Sequence, residues 1–228
     1  MSSFPKADLR LDWCSYEAAK YAVEHWHYLR TMPAGRNVYV GAWEAGRFIG
    51  SVMFGMGSGS STNGTAYGLD RTHEVAELVR VALDRHSASV TKIVSIAIAM
   101  LRKQSPNLRL IISMADPVAG HVGAIYQGGN WIYTGLTKPD VQYFSRGVWV
   151  HHRTATSRGS ARGLPSKPLP GKFRYLMPLD AAMRARIAPL AKPYPKRVRS
   201  AENGTEVPTS GGGVIPTRTH QAEAVAHG

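Results

Sequence analysis

The chain reads EVAELVRVAL at residues 74–83, VTKIVSIAIAMLRK at 90–103, LRLIISM at 108–114 and WIYTGL at 131–136, and this succession decides the fold class. The first run, Glu74 to Leu83, is a mainly apolar strand. Asp84 to Ser89 follows as a polar turn in which Ser87 and Ser89 are available as helix caps. Val90 to Lys103 places Val90, Ile93, Val94, Ala97, Met100 and Leu101 on most faces of a helix, which predicts burial against a sheet. Leu108 to Met114 is a continuous apolar run of the kind found inside sheets. Val118 to Gly128 reads as a second helix and Trp131 to Leu136 as a further strand. Strand, helix, strand, helix, strand predicts right-handed crossovers and a sheet with a parallel portion.

Working outward, Leu9 to Trp13 alternates, and Ser15 is a good N-cap for a helix from Tyr16 to Tyr28 with Ala19, Val23 and Trp26 on one stripe. Pro33 to Gly35 breaks it. Val38 to Trp43 and Arg47 to Phe54 read as strands joined by the hairpin signal Glu44-Ala45-Gly46. Gly55 to Gly68 is rich in Gly and Ser and reads as a loop, either over a site or plainly solvent-exposed. Arg146 to His152 and Lys172 to Leu176 complete the strands, and Leu179 to Ile187 is a short helix. The expected fold is α/β, a mixed central sheet flanked by helices. Its order, β-α-β-β-β-α-β-α-β, resembles that of GCN5-related N-acetyltransferases, and element order alone assigns no function.

The 228 residues suffice for one buried domain plus a tail. We expect a domain at 1–191 and a basic, disordered tail at 192–228, where apolar periodicity ends. A single cysteine, Cys14, precludes an internal disulfide and fits a reducing cytoplasm. Met1 to Lys6 has no apolar run after its charge, so no signal peptide is expected, and the longest apolar stretch, Ile93 to Leu101, is too short to span a bilayer. The formal charge of +13 favours a polyanionic partner, nucleic acid first and a membrane surface or ribosome next. Arg158, Arg162, Lys167, Lys172, Lys196 and Arg197, set among Ser, Gly and Pro, are candidates for loose phosphate contacts.

There is no Gly-x-Ser-x-Gly elbow, P-loop, dinucleotide fingerprint or paired-Cys metal spacing. Three polar clusters remain. His25-Trp26-His27-Tyr28-Leu29-Arg30 interleaves aromatics with His and Arg, which suits a pocket that stacks a planar base; the blander reading is a helix end with Trp26 packed inward. Asp116 ends a buried strand, where open α/β sheets hold ligands, with His121, Tyr126 and Tyr133 nearby; its blander role is to cap the next helix. Glu77 and Arg80 are charges inside an apolar strand, and strand parity puts them on opposite faces.

Several runs together resemble the phage Mom family. They are His27-Tyr28 with Arg30 to Gly35, Glu77 to Val81, Ala115-Asp116-Pro117 through Gly120 to Gln127 with Asn130 to Gly135, Lys172 to Leu179, and Pro193 to Arg197, and the likeness covers roughly 8–198. The resemblance implies an acetyltransferase-like fold and conversion of adenine in double-stranded DNA to its N6-carbamoylmethyl form, which protects phage DNA from restriction. It implies His27, Tyr28, Asp116 and Tyr126 as active-site residues. Trp26, Arg30, Glu77, Arg80, Arg85, Ser87, His121 and Tyr133 are added as substrate- or donor-binding candidates. Leu29 stands where the family pattern has Ser, and Met114 where it has an aromatic.

The chemistry expected is a flipped adenine stacked on Trp26, Tyr28 or Tyr126, with Asp116 or His27 taking the N6 proton and Arg80 or backbone N–H groups stabilising charge on the donor. The fold resemblance suggests acetyl-CoA as donor, but a carbamoylmethyl group carries a nitrogen that acetyl lacks, so a glycine-derived or aminoacyl donor matches the atoms better. Arg85 to Val90 lies where such folds hold pyrophosphate, yet lacks the Gly-rich pattern. The resemblance also raises iron, for which His25, His27 and Asp116 would form a His/carboxylate set. The competing readings are an acyl-CoA N-acetyltransferase acting on a small amine or protein, and a non-enzymatic nucleic-acid-binding protein.

Overall fold

The protein is described by a computed structural model over residues 8–56, 64–70, 73–157, 159 and 161–196. Arg158, Arg197 and most of the expected tail lie outside the described residues. From Leu9 to Leu136 the elements follow the expected order: β1 (Leu9–Trp13), α1 (Tyr16–Trp26), β2 (Asn37–Glu44), β3 (Arg47–Gly55), β4 (Val75–Leu83), α2 (Val90–Gln104), β5 (Leu110–Ala115), α3 (Ala124–Gly128) and β6 (Ile132–Leu136). Ser15 and Ser89 cap α1 and α2, accepting from the N–H groups of Ala18 and Lys92. In the β2–β3 turn, Ala45 and Gly46 both have positive φ, 49° and 79°, as the primed hairpin turns require.

Four more strands and two helices follow: β7 (Asp140–Ser145), β8 (Val148–His151), α4 (His152–Ser157), β9 (Ser166–Leu169), β10 (Phe173–Pro178) and α5 (Ala181–Ile187). The main sheet has seven strands in the order β1-β2-β3-β4-β5-β10-β6. β4 and β5 pair in parallel, and the other neighbours are antiparallel. Thus β10, late in the chain, enters between β5 and β6, and residues 140–169 form an inserted three-stranded sheet, β8-β7-β9.

Alternation along the central strands divides the core between the two faces. Val52, Phe54 and Ile111 pack with Ile93, Val94 and Ala97 of α2. On the other face Met53 and Ala82 meet Ala19, Ala22 and Val23 of α1, and Leu110, Ile112 and Leu176 meet Met183 and Ile187 of α5. The sheet is therefore flanked by helices on both sides.

Two features position the site. The β4–β5 pairing runs from Val75↔Leu110 to Leu78↔Ser113 and stops there, although β4 continues to Leu83 and β5 to Ala115. The strands part at that point. On its other side β4 still pairs with β3, but Met53 faces Arg80 while Phe54 faces Leu78, so Val79 is an extra residue, a β-bulge.

Three expectations are corrected. Val118 to Gly128 is not one helix: Pro117–Ala119 forms a 3₁₀ turn, Gly120 and Gly123 take positive φ of 72° and 81°, and only Ala124–Gly128 is α-helical. A Cβ on Gly123 would lie 2.3 Å from the Tyr175 ring, so this break is built into the packing. The strand expected at Arg146 to His152 ends at His151, where α4 begins. Lys192 to Lys196, placed in the expected tail, are tied to the sheet: Lys192 N–H donates to the Tyr133 carbonyl at 2.9 Å and the Tyr194 hydroxyl to the Trp131 carbonyl at 2.7 Å. No helix among the described residues is long and apolar enough to cross a membrane.

Candidate active site

The parted ends of β4 and β5 gather polar side chains from four segments. His27 is the C-cap of α1 and Tyr28 follows it, their rings 4.6 Å apart. The Tyr28 ring stands edge-on to His121 at 5.0 Å. Asp116 leaves the end of β5, and Glu77 and Arg80 come from β4. These groups feel one another: burial, then Arg80, then His121 push the His27 imidazole down to about 4. Burial and the Asp116 carboxylate push the Tyr28 phenol up, against an opposing pull from Arg80.

The bulge corrects the expected parity of Glu77 and Arg80. Glu77 pairs with Gly55 and Arg80 with Met53, and those partners are two apart on β3, so both charges fall on one face. A residue inserted between them cancels the odd spacing that sequence shows. Burial pulls the Arg80 guanidinium down while Tyr28, Glu77 and Tyr126 hold it up, and arginine stays cationic at neutral pH. Its Nη1 donates to the Val79 carbonyl at 2.7 Å, and its buried Nε has no hydrogen-bond partner. An orphaned guanidinium N–H in a buried site is a donor held ready for a ligand acceptor.

Asp116 takes the capping role expected of it. Oδ1 accepts from Val118 N–H at 2.9 Å, capping the 3₁₀ turn, while Oδ2 lies 3.6 Å from Nζ of Lys172. Lys172 thus sits at the rim of the site, beside its carboxylate. His27 is neutral, and its Nδ1 accepts from Leu29 N–H at 3.1 Å. Its one proton is therefore on Nε2, which makes it a donor. His27 thus presents an N–H donor at Nε2.

Tyr126 is displaced from the role of stacking surface. It is a core residue between Trp131 and Tyr175, with ring centroids 5.0 and 5.1 Å away. Its hydroxyl lies 2.7 Å from Ser113 Oγ, which donates to the Leu78 carbonyl at 2.8 Å. Burial pushes this phenol up to about 12. It closes the floor beneath the parted strands. Tyr133 is likewise buried, against Phe173 and Tyr175. Trp26 packs on Phe48 and Tyr21 under α1, as the blander reading has it. Tyr28 is half exposed at the site.

Arg30 turns back to α1, donating to the Glu24 carbonyl at 3.2 Å. Arg85 points into solvent beside Asp84. Among the DNA-backbone candidates, Arg162, Lys167 and Lys196 are exposed, and Lys167 Nζ lies 4.4 Å over the Trp149 ring. In the loop before α2, the buried carboxylate of Glu44 accepts from the N–H groups of Ser87 at 2.8 Å and Ala88 at 2.6 Å, so an internal anion occupies these two donors. Glu44 ends β2, 43 residues from Ser87, so no local pattern signals this contact. The iron set His25, His27 and Asp116 does not assemble, because His25 stacks on Tyr21 at 4.1 Å and its Nδ1 bonds the Tyr21 carbonyl at 2.8 Å.

The fold defines a class: a mixed α/β sheet flanked by helices, in the element order of GCN5-related N-acetyltransferases. Residues 8–196 match the Mom protein family, and the chain belongs to it. It is 24% identical to the methylcarbamoylase Mom of Escherichia phage Mu over 204 residues, covering 83% of this chain and 84% of that protein. Among solved structures it is similar to a spermidine N-acetyltransferase from Vibrio cholerae, with 11% identity, a TM-score of 0.46, and coverage of 75% of this chain and 93% of that one. It is also similar to FeeM, an N-acyl amino acid synthase from uncultured soil microbes, with 10% identity, a TM-score of 0.45, and coverage of 80% and 97%.

Proposed function

We propose that this protein is a transferase that modifies adenine in double-stranded phage DNA within the host cytoplasm, giving N6-carbamoylmethyladenine and protecting that DNA from restriction. The observation that carries the reading is the convergence of His27, Tyr28, Glu77, Arg80, Asp116 and His121 where β4 and β5 part, in a chain whose phage Mu relative is a methylcarbamoylase. Adenine N6 is a weak nucleophile inside a base stack, so the base is flipped out and its face rests on Tyr28. Asp116 accepts an N6 proton as N6 bonds the methylene carbon of the donor's carbamoylmethyl unit and that carbon's bond to the donor's leaving group breaks, the leaving group departing with the electron pair. Arg80, the Tyr28 hydroxyl and His27 Nε2–H are the donors, suited to negative charge building on the group donor. The excess of +13 and the exposed Arg162, Lys167 and Lys196 support contact with the phosphate backbone.

The donor we propose is glycine-derived or aminoacyl. Its nitrogen matches the carbamoylmethyl group, and the Glu44 carboxylate on Ser87 and Ala88 disfavours a pyrophosphate-bearing donor such as acetyl-CoA. The test is nucleoside mass spectrometry of plasmid DNA from cells expressing the protein, beside an Asp116→Asn control. An adenosine carrying the carbamoylmethyl mass, lost in the control, is the expected result. Unmodified DNA alongside soluble, folded protein overturns the reading in a host that supplies the donor.

A further inference from the structure

Away from the parted strands, the inserted sheet brings together two imidazoles and a carboxylate. Asp140 opens β7, His151 ends β8 and His152 begins α4. Asp140 Oδ2 lies 2.5 Å from His151 Nε2, and Oδ1 lies 3.0 Å from His152 Nδ1. One ligand atom from each of the three falls within 4.8 Å of the others, and all three side chains are partly buried.

Sequence neighbours rarely serve one centre in a strand, because successive side chains point to opposite faces. Here the chain leaves β8 at His151 and turns into α4 at His152, which swings the second ring beside the first, their centroids 4.7 Å apart. Both rings then meet the same carboxylate. The surrounding unit is short of other support: within 140–169, Ala155 is the one buried side chain among the described residues. A small sheet with so little core is the setting in which a structural metal stabilises a fold.

We propose that Asp140, His151 and His152 bind a divalent transition ion of the zinc class, which pins the start of β7 to the β8–α4 junction. One carboxylate oxygen, His151 Nε2 and His152 Nδ1 supply three ligands, a borderline-soft set that zinc and cobalt favour over magnesium or calcium, and water completes the shell. Ligand atoms about 2 Å from an ion stand roughly 3–3.5 Å from one another, a spacing that side-chain rotation at this partly exposed site allows. Ion binding displaces the protons the two imidazole nitrogens now share with Asp140. The ion is structural, and holds the face on which Trp149 and Lys167 lie together.

The test uses the full chain, freed of metal by chelation and titrated with Co²⁺ and then Zn²⁺. We expect one Co²⁺ per chain with the strong visible absorption of a four-coordinate site, displaced by one equivalent of Zn²⁺. His151→Gln, His152→Gln and Asp140→Ala should each weaken binding by about a hundredfold or more, beyond what loss of a supporting group does. Zn²⁺ should raise the melting temperature of the unaltered chain by about 5 °C at a large excess over Kd. His27→Ala serves as a control that leaves this binding intact. X-ray absorption of the unaltered chain loaded with Zn²⁺ should show two imidazole ligands, which keeps the test independent of the variants' folding. Failure of the unaltered chain to take up a stoichiometric ion, or retention of the ion in all three variants, overturns the proposal.

Discussion

Leu29 N–H donates to Nδ1 of His27 at 3.1 Å, and this bond decides what the imidazole presents to the site. With Nδ1 occupied as an acceptor, the neutral ring carries its proton on Nε2.

The first prediction follows from the depressed basicity of that ring, which burial, Arg80 and His121 hold at about 4. An unfolded histidine protonates near 6.5, so between the two values the unfolded chain binds the extra proton. The contribution to stability is complete above pH ~6.5 and is lost as pH falls toward 4. Nitrogen NMR of the imidazoles should show one Nε2–H tautomer that titrates near 4. Titration of His27 near 6.5 would contradict this.

Asp116 separates stability from chemistry. Asp116→Asn keeps an oxygen for Val118 N–H but removes the proton acceptor, so DNA modification should fall at least about a hundredfold. Asp116→Ala also loses the cap and should cost ~1 kcal/mol in urea unfolding. Equal loss of stability in both variants would point to a purely structural carboxylate.

For Tyr126, truncation to Phe leaves the ring between Trp131 and Tyr175 and removes the hydroxyl beside Ser113. Ser113 still donates to the Leu78 carbonyl. The expected cost is ~1 kcal/mol, with the fold retained. Tyr126→Ala should cost ~3–5 kcal/mol, as removal of a core aromatic does. Thermal and urea melts of the two variants distinguish these outcomes.

Glu44 yields a prediction about the donor. The native chain should show no CoA binding by calorimetry, because the Ser87 and Ala88 N–H groups are engaged. Glu44→Gln should lose ~1.5–3 kcal/mol of stability, the range for hydrogen bonds to a charged group. Tight CoA binding by the native chain would return acetyl-CoA to consideration.

The run from Val75 to Ala115 was legible because hydrophobic period and caps agree there: Ser89 starts α2, and Ile93, Val94, Ala97 and Leu101 are among its buried residues. The inserted sheet was not, since Ser166 to Leu169 pairs a basic, proline-containing strand with β7 and buries almost nothing. Nor can local pattern place β10 between β5 and β6, a choice made by residues more than fifty apart, such as Ser113 and Tyr175. At the site, the residue types could be named but their directions could not. Val79 looks like an ordinary strand residue, and only its pairing reveals the bulge that brings Glu77 and Arg80 to one face. Tyr126 is the opposite case: sequence shows an aromatic suited to stacking on a base, but not the depth at which it is buried.

The late entry of β10 ties the site to the order of synthesis. Until Phe173 to Pro178 have left the ribosome, β5 lacks a neighbour on one edge, and Gly123 and Gln127 lack the Tyr175 side chain against which they lie. Asp116 and Tyr126 are translated well before that point but have no fixed frame. A nascent chain halted after β6 is accordingly an unfinished sheet, and competence arrives in one late step when the last strand slots in.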